Sequence, residues 1–237
     1  MQPIKFYFDV LSQPCRALYV LLEAAKIPYE AIPVNLLKGE HMTKEFKEKA
    51  NRFKKVPAIN DHGFQLTESV AIFRHLNREK IVPEHWYPRR NLARSRIDEY
   101  MEWQQSNMRP ACSHYFQAKW LLPTLNKTRP KEEDIKMAEK RLDHTINEFE
   151  NGFLHSQKFM AGRNISFADL LAICEIDQPV TVGYNPFKNR AKFTQWYEVV
   201  RDELGPIYKE VQNEFEHKLK NADTAVDVKD EAISIKQ

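Results

Sequence analysis

Three short segments carry residues whose types and spacing can do chemistry. The first is Leu11-Ser12-Gln13-Pro14-Cys15-Arg16. It follows an aromatic, strand-like run and opens a helical one. The free N–H groups and positive dipole end of a helix start favour an anion there. A thiolate is such an anion, and Ser12 adds a hydroxyl that can donate to sulfur. No GxSxG elbow surrounds Ser12 and no His is placed by sequence as its base, so it does not read as a triad nucleophile. Taken alone, these residues fit a plain N-cap serine better.

The second segment is Lys54-Lys55-Val56-Pro57. An X-Pro bond between a loop and a strand is a candidate for a cis peptide. That geometry would turn the Val56 backbone N–H and C=O outward, where a peptide-like ligand could pair as a short added strand. Lys55 would then stand ready for a carboxylate. A trans edge-strand proline beside solvated lysines fits the same residues. The third segment is Leu66-Thr67-Glu68-Ser69-Val70-Ala71. Ser69 and a helix start suit a carboxylate, and Glu68 suits an ammonium, so one amino-acid head group satisfies both. Taken alone, helix capping accounts for this segment.

The elements needed to position these segments are legible. Residues 4–8 read as a strand, and residues 13–25 as a helix with Pro14 in its first turn. Residues 29–35 read as an edge strand because of Pro33. Residues 56–60 and 64–67 flank Asp61-His62-Gly63 as a hairpin, and residues 68–78 form a helix. This order packs a small mixed sheet against helices. A Pro-bounded stretch, 82–90, reads as a linker between a domain over 1–81 and an all-helical domain over 91–220. In the latter, helices are expected over 91–118 with a kink at Pro110, and over 131–154, 166–177, 190–200 and 204–218. Residues 221–237 carry no period and are expected to be a loose polar tail.

Composition narrows the function. Six glycines in 237 residues, with no GxGxxG or GxxxxGK[ST] pattern, argue against a phosphate-cradling loop. The 36 basic and 33 acidic residues interleave to a net charge of +3, which leaves no nucleic-acid footprint. Cys15, Cys112 and Cys174 lie far apart, so neither a disulfide framework nor metal spacing is present. The start lacks a secretory pattern and no apolar run approaches the ~20 residues of a membrane span, so a cytoplasmic protein without metal or membrane span is expected.

Joined in order within 70 residues, the three segments resemble the glutathione-binding half of cytosolic glutathione transferases. Asp9 to Arg16, Leu37-Lys38-Gly39-Glu40-His41, residues 55–58, residues 66–72 and Trp86-Tyr87-Pro88 look like the theta class. Gly162 to Asp169 resembles that family's capping box, with Ser166 as N-cap and Asp169 at the third helical position, a structural pair. The resemblance implies an α/β plus all-α fold, an N-terminal thioredoxin-like domain followed by a C-terminal helical-bundle domain, working as a homodimer. It implies glutathione as co-substrate and small hydrophobic electrophiles as partners, in a detoxifying conjugation with a peroxidase activity alongside.

Residue by residue, the resemblance gives Ser12 the glutathione sulfur, Val56-Pro57 the cysteinyl unit, and Glu68 and Ser69 the γ-glutamyl head. It gives His41 and Lys55 the glycine carboxylate, and Arg109 a place on the active-site cleft. Met108, Cys112 and Phe116 are candidates for the electrophile pocket and equally for core. Two departures stand out: Asn51 is followed by Arg52 where the family often has Pro, and no tryptophan-bearing apolar helix ends the chain, so a more open pocket is expected. Two rival functions remain, a non-catalytic transferase-like module and a thiol oxidoreductase using Cys15.

Overall fold

The computed structural model describes residues 3–80, 82–89, 91–155 and 157–234, with side chains described to 222 save that of Asn91. Ile81 and Arg90, at two of the expected domain boundaries, and residues 235–237 of the expected tail lie outside the described residues.

Strand β1 (Ile4–Phe8) buries Ile4, Phe6 and Phe8 and turns Lys5 to solvent, the period-two pattern of a strand with one packed face. It pairs parallel with β2 (Tyr29–Pro33) and antiparallel with β3 (Ala58–Asp61), which pairs antiparallel with β4 (Phe64–Thr67), giving the order β2-β1-β3-β4. His62 and Gly63 both take positive φ, 54° and 97°, so the β3–β4 hairpin closes on a primed turn. Helices α1 (Gln13–Ala24), α2 (Lys44–Lys49) and α3 (Ser69–Glu79) complete this domain. The register sets Tyr7 beside Ala58 and Ala58 beside Thr67. The end of β1, the start of β3 and the end of β4 therefore share one edge of the sheet.

The second domain is helical: α4 (Asn91–Ser106), α5 (Met108–Phe116), a π turn (Gln117–Leu121), α6 (Leu122–Asn126), α7 (Glu132–Phe153), α8 (Phe167–Thr181) and α9 (Ala191–Ser234). The helix expected over 91–118 divides at Asn107, not at Pro110. Pro110 lies in the first turn of α5, where its missing N–H costs nothing. The two last expected helices are both present within α9, which breaks between them at Gly205 (φ 62°, ψ −143°), a backbone that favours glycine. The loose tail expected from residue 221 is corrected as well, because the α9 backbone runs on to Ser234.

Helix α8 is buried from Phe167 to Pro179 and opens on a capping box between Ser166 and Asp169. Asp169 accepts from Ser166 N (3.0 Å), Ser166 Oγ (2.7 Å), Met160 N (3.0 Å) and Trp196 Nε1 (3.0 Å). Both residues are deep in the helical domain and hold its central helix in place. Further along α8, Asp177 accepts from Tyr197 Oη (2.5 Å) and from Tyr208 Oη. Burial pushes its carboxyl up to about 6.

Between pH ~6 and ~4 the folded protein thus holds a proton that the unfolded chain has released. Its unfolding free energy should rise as pH falls through that window, by roughly 3 kcal/mol from this group. Asp177→Asn should remove that part of the slope, as urea unfolding of both proteins at stepped pH will read.

Candidate functional site

Ser12 sits at the N-cap of α1 (φ −87°, ψ 119°), half-buried, and its hydroxyl makes no capping bond to the helix. Its carbonyl accepts from Cys15 N and Arg16 N, both at 3.1 Å. Cys15 is fully buried behind it, and burial pushes that thiol up to about 12. A thiol so held stays protonated at neutral pH and is a poor nucleophile.

The loop before Ser12 is fastened residue by residue. Asp9 accepts from Leu11 N (2.9 Å), Leu36 N (2.9 Å) and Lys218 Nζ (2.6 Å), and its carbonyl accepts from Ser12 N at 2.9 Å. Arg16, with no exposure, donates to the carbonyls of Val10 and Cys174, both at 2.7 Å. Gln178 donates to the carbonyl of Leu11 at 3.0 Å, and Gln13 donates to Gln178 and to Ser113 Oγ.

The Val56-Pro57 bond is cis. Val56 is half-buried, Pro57 buried and Lys55 exposed. Buried Asn51 braces this loop by donating to the carbonyl of Lys55 (2.6 Å) and accepting from Phe53 N (2.8 Å). Lys54, at φ 56°, donates from Nζ to the carbonyl of Met42 (2.7 Å), tying the loop to the 3₁₀ turn Glu40–Met42. That turn carries His41, whose Nδ1 is buried with no hydrogen-bond partner among the described residues.

Glu68 stands just before α3 with φ 69° and ψ 116°, a costly backbone for a non-glycine residue, and its side chain is exposed. Ser69 is buried, and its Oγ accepts from Arg109 Nη2 at 3.4 Å. Arg109, from α5, is otherwise committed: Nε to Glu175 Oε1 at 2.8 Å and Nη1 to Gln105 Oε1 at 3.0 Å.

The shared sheet edge brings Ser12, Val56-Pro57 and Glu68-Ser69 to three neighbouring strand ends, which lie roughly 5 Å apart from strand to strand. Arg109 reaches that edge from the helical domain. Ser166 and Asp169 do not. Met108, Cys112 and Phe116 are buried in the core. A groove of about 1460 Å³ between α8, α9 and the π turn is lined from Lys119 to Lys220 and excludes Ser12. Sequence reasoning missed Asp9, Asn51, Gln178 and Lys218. Only Asn51 left a local trace, an Asx residue two positions before Phe53.

Residues 6–78 match the family model described as the glutathione S-transferase N-terminal domain, and residues 111–203 the glutathione S-transferase C-terminal domain. The curated human glutathione S-transferase theta-1 is 39% identical over 202 residues, which are 85% of this chain and 84% of that one. The solved structure of human glutathione-S-transferase T1-1 in its apo form superposes with a TM-score of 0.87 at 37% identity over 94% of each chain. Human glutathione transferase theta-2, in complex with glutathione and an unknown ligand, gives 0.88 at 32% identity over 94% of this chain and 91% of that one. Two matched domains, similarity over most of the chain and a common fold lead to one assignment: the chain belongs to the theta class of the glutathione S-transferases.

Proposed function

We propose that this enzyme ionises the thiol of bound glutathione beside Ser12 and conjugates it to small hydrophobic electrophiles. The observation that carries the reading is the Ser12 hydroxyl. It stands half-buried at the start of α1, where the helix end favours an anion, and among the described residues it touches only the neutral Cys15 thiol, so its proton can turn to a sulfur anion arriving there. The domain over 1–81 holds the tripeptide and the domain over 91–220 receives the electrophile. The outward Val56 backbone pairs with the cysteinyl unit, and Glu68 and Ser69 hold the γ-glutamyl head. His41 and Lys55 meet the glycine carboxylate, and Arg109 lines the cleft.

In the reaction the thiol proton leaves to solvent and the thiolate attacks carbon. The carbon–sulfur bond forms as the carbon–halogen bond of a haloalkane breaks, or as an epoxide ring opens. With an organic hydroperoxide the thiolate attacks oxygen and the O–O bond breaks to release the alcohol and leave the sulfenic acid of glutathione, from which a second glutathione thiol displaces water to give the disulfide. No metal enters either step. The protein acts in the cytoplasm as a homodimer.

The neutral, buried Cys15 supports glutathione rather than the protein as the nucleophile. Turnover should therefore survive Cys15→Ala. A screen of haloalkanes, epoxides, isothiocyanates and organic hydroperoxides tests the whole reading, and silence across it overturns the enzyme in favour of a binding module. Glu68→Ala should raise the KM for glutathione by about 10–100-fold, the worth of one charge-assisted hydrogen bond, with kcat within about twofold. An unchanged KM removes Glu68 from the site.

A further inference from the structure

Residues 9, 10 and 11, immediately before Ser12, are each gripped by a side chain from a different helix. Lys218 of α9 holds the Asp9 carboxylate, Arg16 of α1 holds the carbonyl of Val10, and Gln178 of α8 holds the carbonyl of Leu11. Two of the three grips come from the helical domain. Arg16 belongs to the same assembly, since it also donates to the carbonyl of Cys174 on α8 and lies 4.0 Å over the Phe215 ring of α9.

The Lys218 grip is the ionic one. The Asp9 side chain has no exposure, whereas that of Lys218 keeps 27%. A buried carboxylate is tolerated only while its charge is answered, and here one ammonium and two backbone N–H groups answer it. The same carboxylate closes the turn through Leu11 N, and the Asp9 carbonyl receives Ser12 N. Anything that disturbs Asp9 is transmitted to Ser12 through these two bonds.

We propose that Lys218 is a positioning residue for the thiol site: by gripping buried Asp9 it sets the loop that aims the Ser12 hydroxyl at sulfur. The inference rests on the reading of Ser12 given above. It makes the helical domain a working part of thiol activation, over a separation of 209 residues in sequence. The charged and titratable groups around the loop are Asp9, Cys15 and Arg16 from the first domain, Lys218 from α9, and Cys174, Asp177 and Glu175 of α8 facing Arg16.

The test titrates the thiol of glutathione bound to the full-length protein, by thiolate ultraviolet absorbance, alongside the pH profile of kcat. Lys218→Met should move the titration up by about one unit. Turnover at neutral pH should fall about tenfold, with the KM for glutathione within about twofold. Lys218→Arg, which keeps the charge, should restore most of both. Lys218→Gln gives the same reading should the methionine variant fail to fold.

An unmoved titration in Lys218→Met or Lys218→Gln overturns the proposal. So does an activity loss of equal size in Lys218→Arg with the titration unmoved, which marks a merely structural contact. Ser12→Ala separates the two readings. If it leaves the titration in place, the Ser12 assignment has failed. If it shifts the titration and the Lys218 variants do not, only the role of Lys218 has.

Discussion

Ser12→Ala should lower turnover about 100-fold at neutral pH while leaving glutathione binding within about threefold of its original strength. A free thiol titrates near pH ~8.5, so little nucleophile exists at pH 7 without help. A hydroxyl donating to the anion and not to the thiol favours the anion, and each unit of depression is ~1.4 kcal/mol of selective stabilisation. Removing the donor raises the sulfur's pKa, so the rise of kcat/KM with pH should move alkaline by about one to two units, and activity should recover in base. The binding contacts proposed at Val56, Glu68 and Ser69 are untouched, which is why KM should hold.

Stability offers an independent check. Losing a capping serine typically costs about 0.5–2 kcal/mol, but this hydroxyl makes no cap bond and among the described residues touches only the Cys15 thiol, a weak acceptor, so the change should stay below about 1 kcal/mol. Kinetics over a pH series and thermal unfolding of the same preparations read both. An unchanged pH profile removes Ser12 from the mechanism, and a large loss of stability shows that it serves the fold.

What was legible in the sequence was local. The strand at Ile4–Phe8 announces itself as a short aromatic run between Pro3 and Asp9, α1 by Pro14 in its first turn, and α8 by Ser166 three residues before Asp169. The cis bond at Val56-Pro57 was one of two readings its residues allowed. Helix α2 escaped because Lys44–Lys49 is a single short stretch with only Phe46 buried, too brief to show a period. Pro110 misled because a proline in a helical pattern signals a break, yet the same residue is at home one turn inside a new helix.

The second layer of the site was illegible for a different reason. Lys218 meets Asp9 across 209 residues and Gln178 meets Leu11 across 167. Neither pair leaves any pattern in a single chain, because each is created only when the two domains dock. The motifs point to the groups proposed to touch the ligand, and docking decides what holds them still.

Arg109→Leu should destabilise the ligand-free protein by about 3–5 kcal/mol. Arg109 is bonded to Glu175, whose side chain has no exposure and whose Oε2 is buried with no partner among the described residues. Without the Arg109 guanidinium that carboxylate loses its ion pair and keeps only the more distant charge of Arg16, and the cost of leaving it so exceeds the net worth of the pair. The loss therefore belongs to Glu175 as much as to Arg109, and a second substitution exposes this. Adding Glu175→Gln should make the double variant more stable than Arg109→Leu alone by about 1–3 kcal/mol, because the charge has gone with its partner.

A purely ligand-directed arginine gives the opposite pattern: unfolding of the free protein unchanged, the KM for glutathione raised, and no rescue from Glu175→Gln. Urea unfolding of the three variants without glutathione distinguishes the two. The expected pattern gives Arg109 a double duty. Nε and Nη1 fasten it within the helical domain, and Nη2 alone reaches over to Ser69. The anchor comes first, since a guanidinium held at two points by its own domain presents its third face to the sheet edge at Ser69 in one orientation, with little entropy left to lose should a ligand bind there.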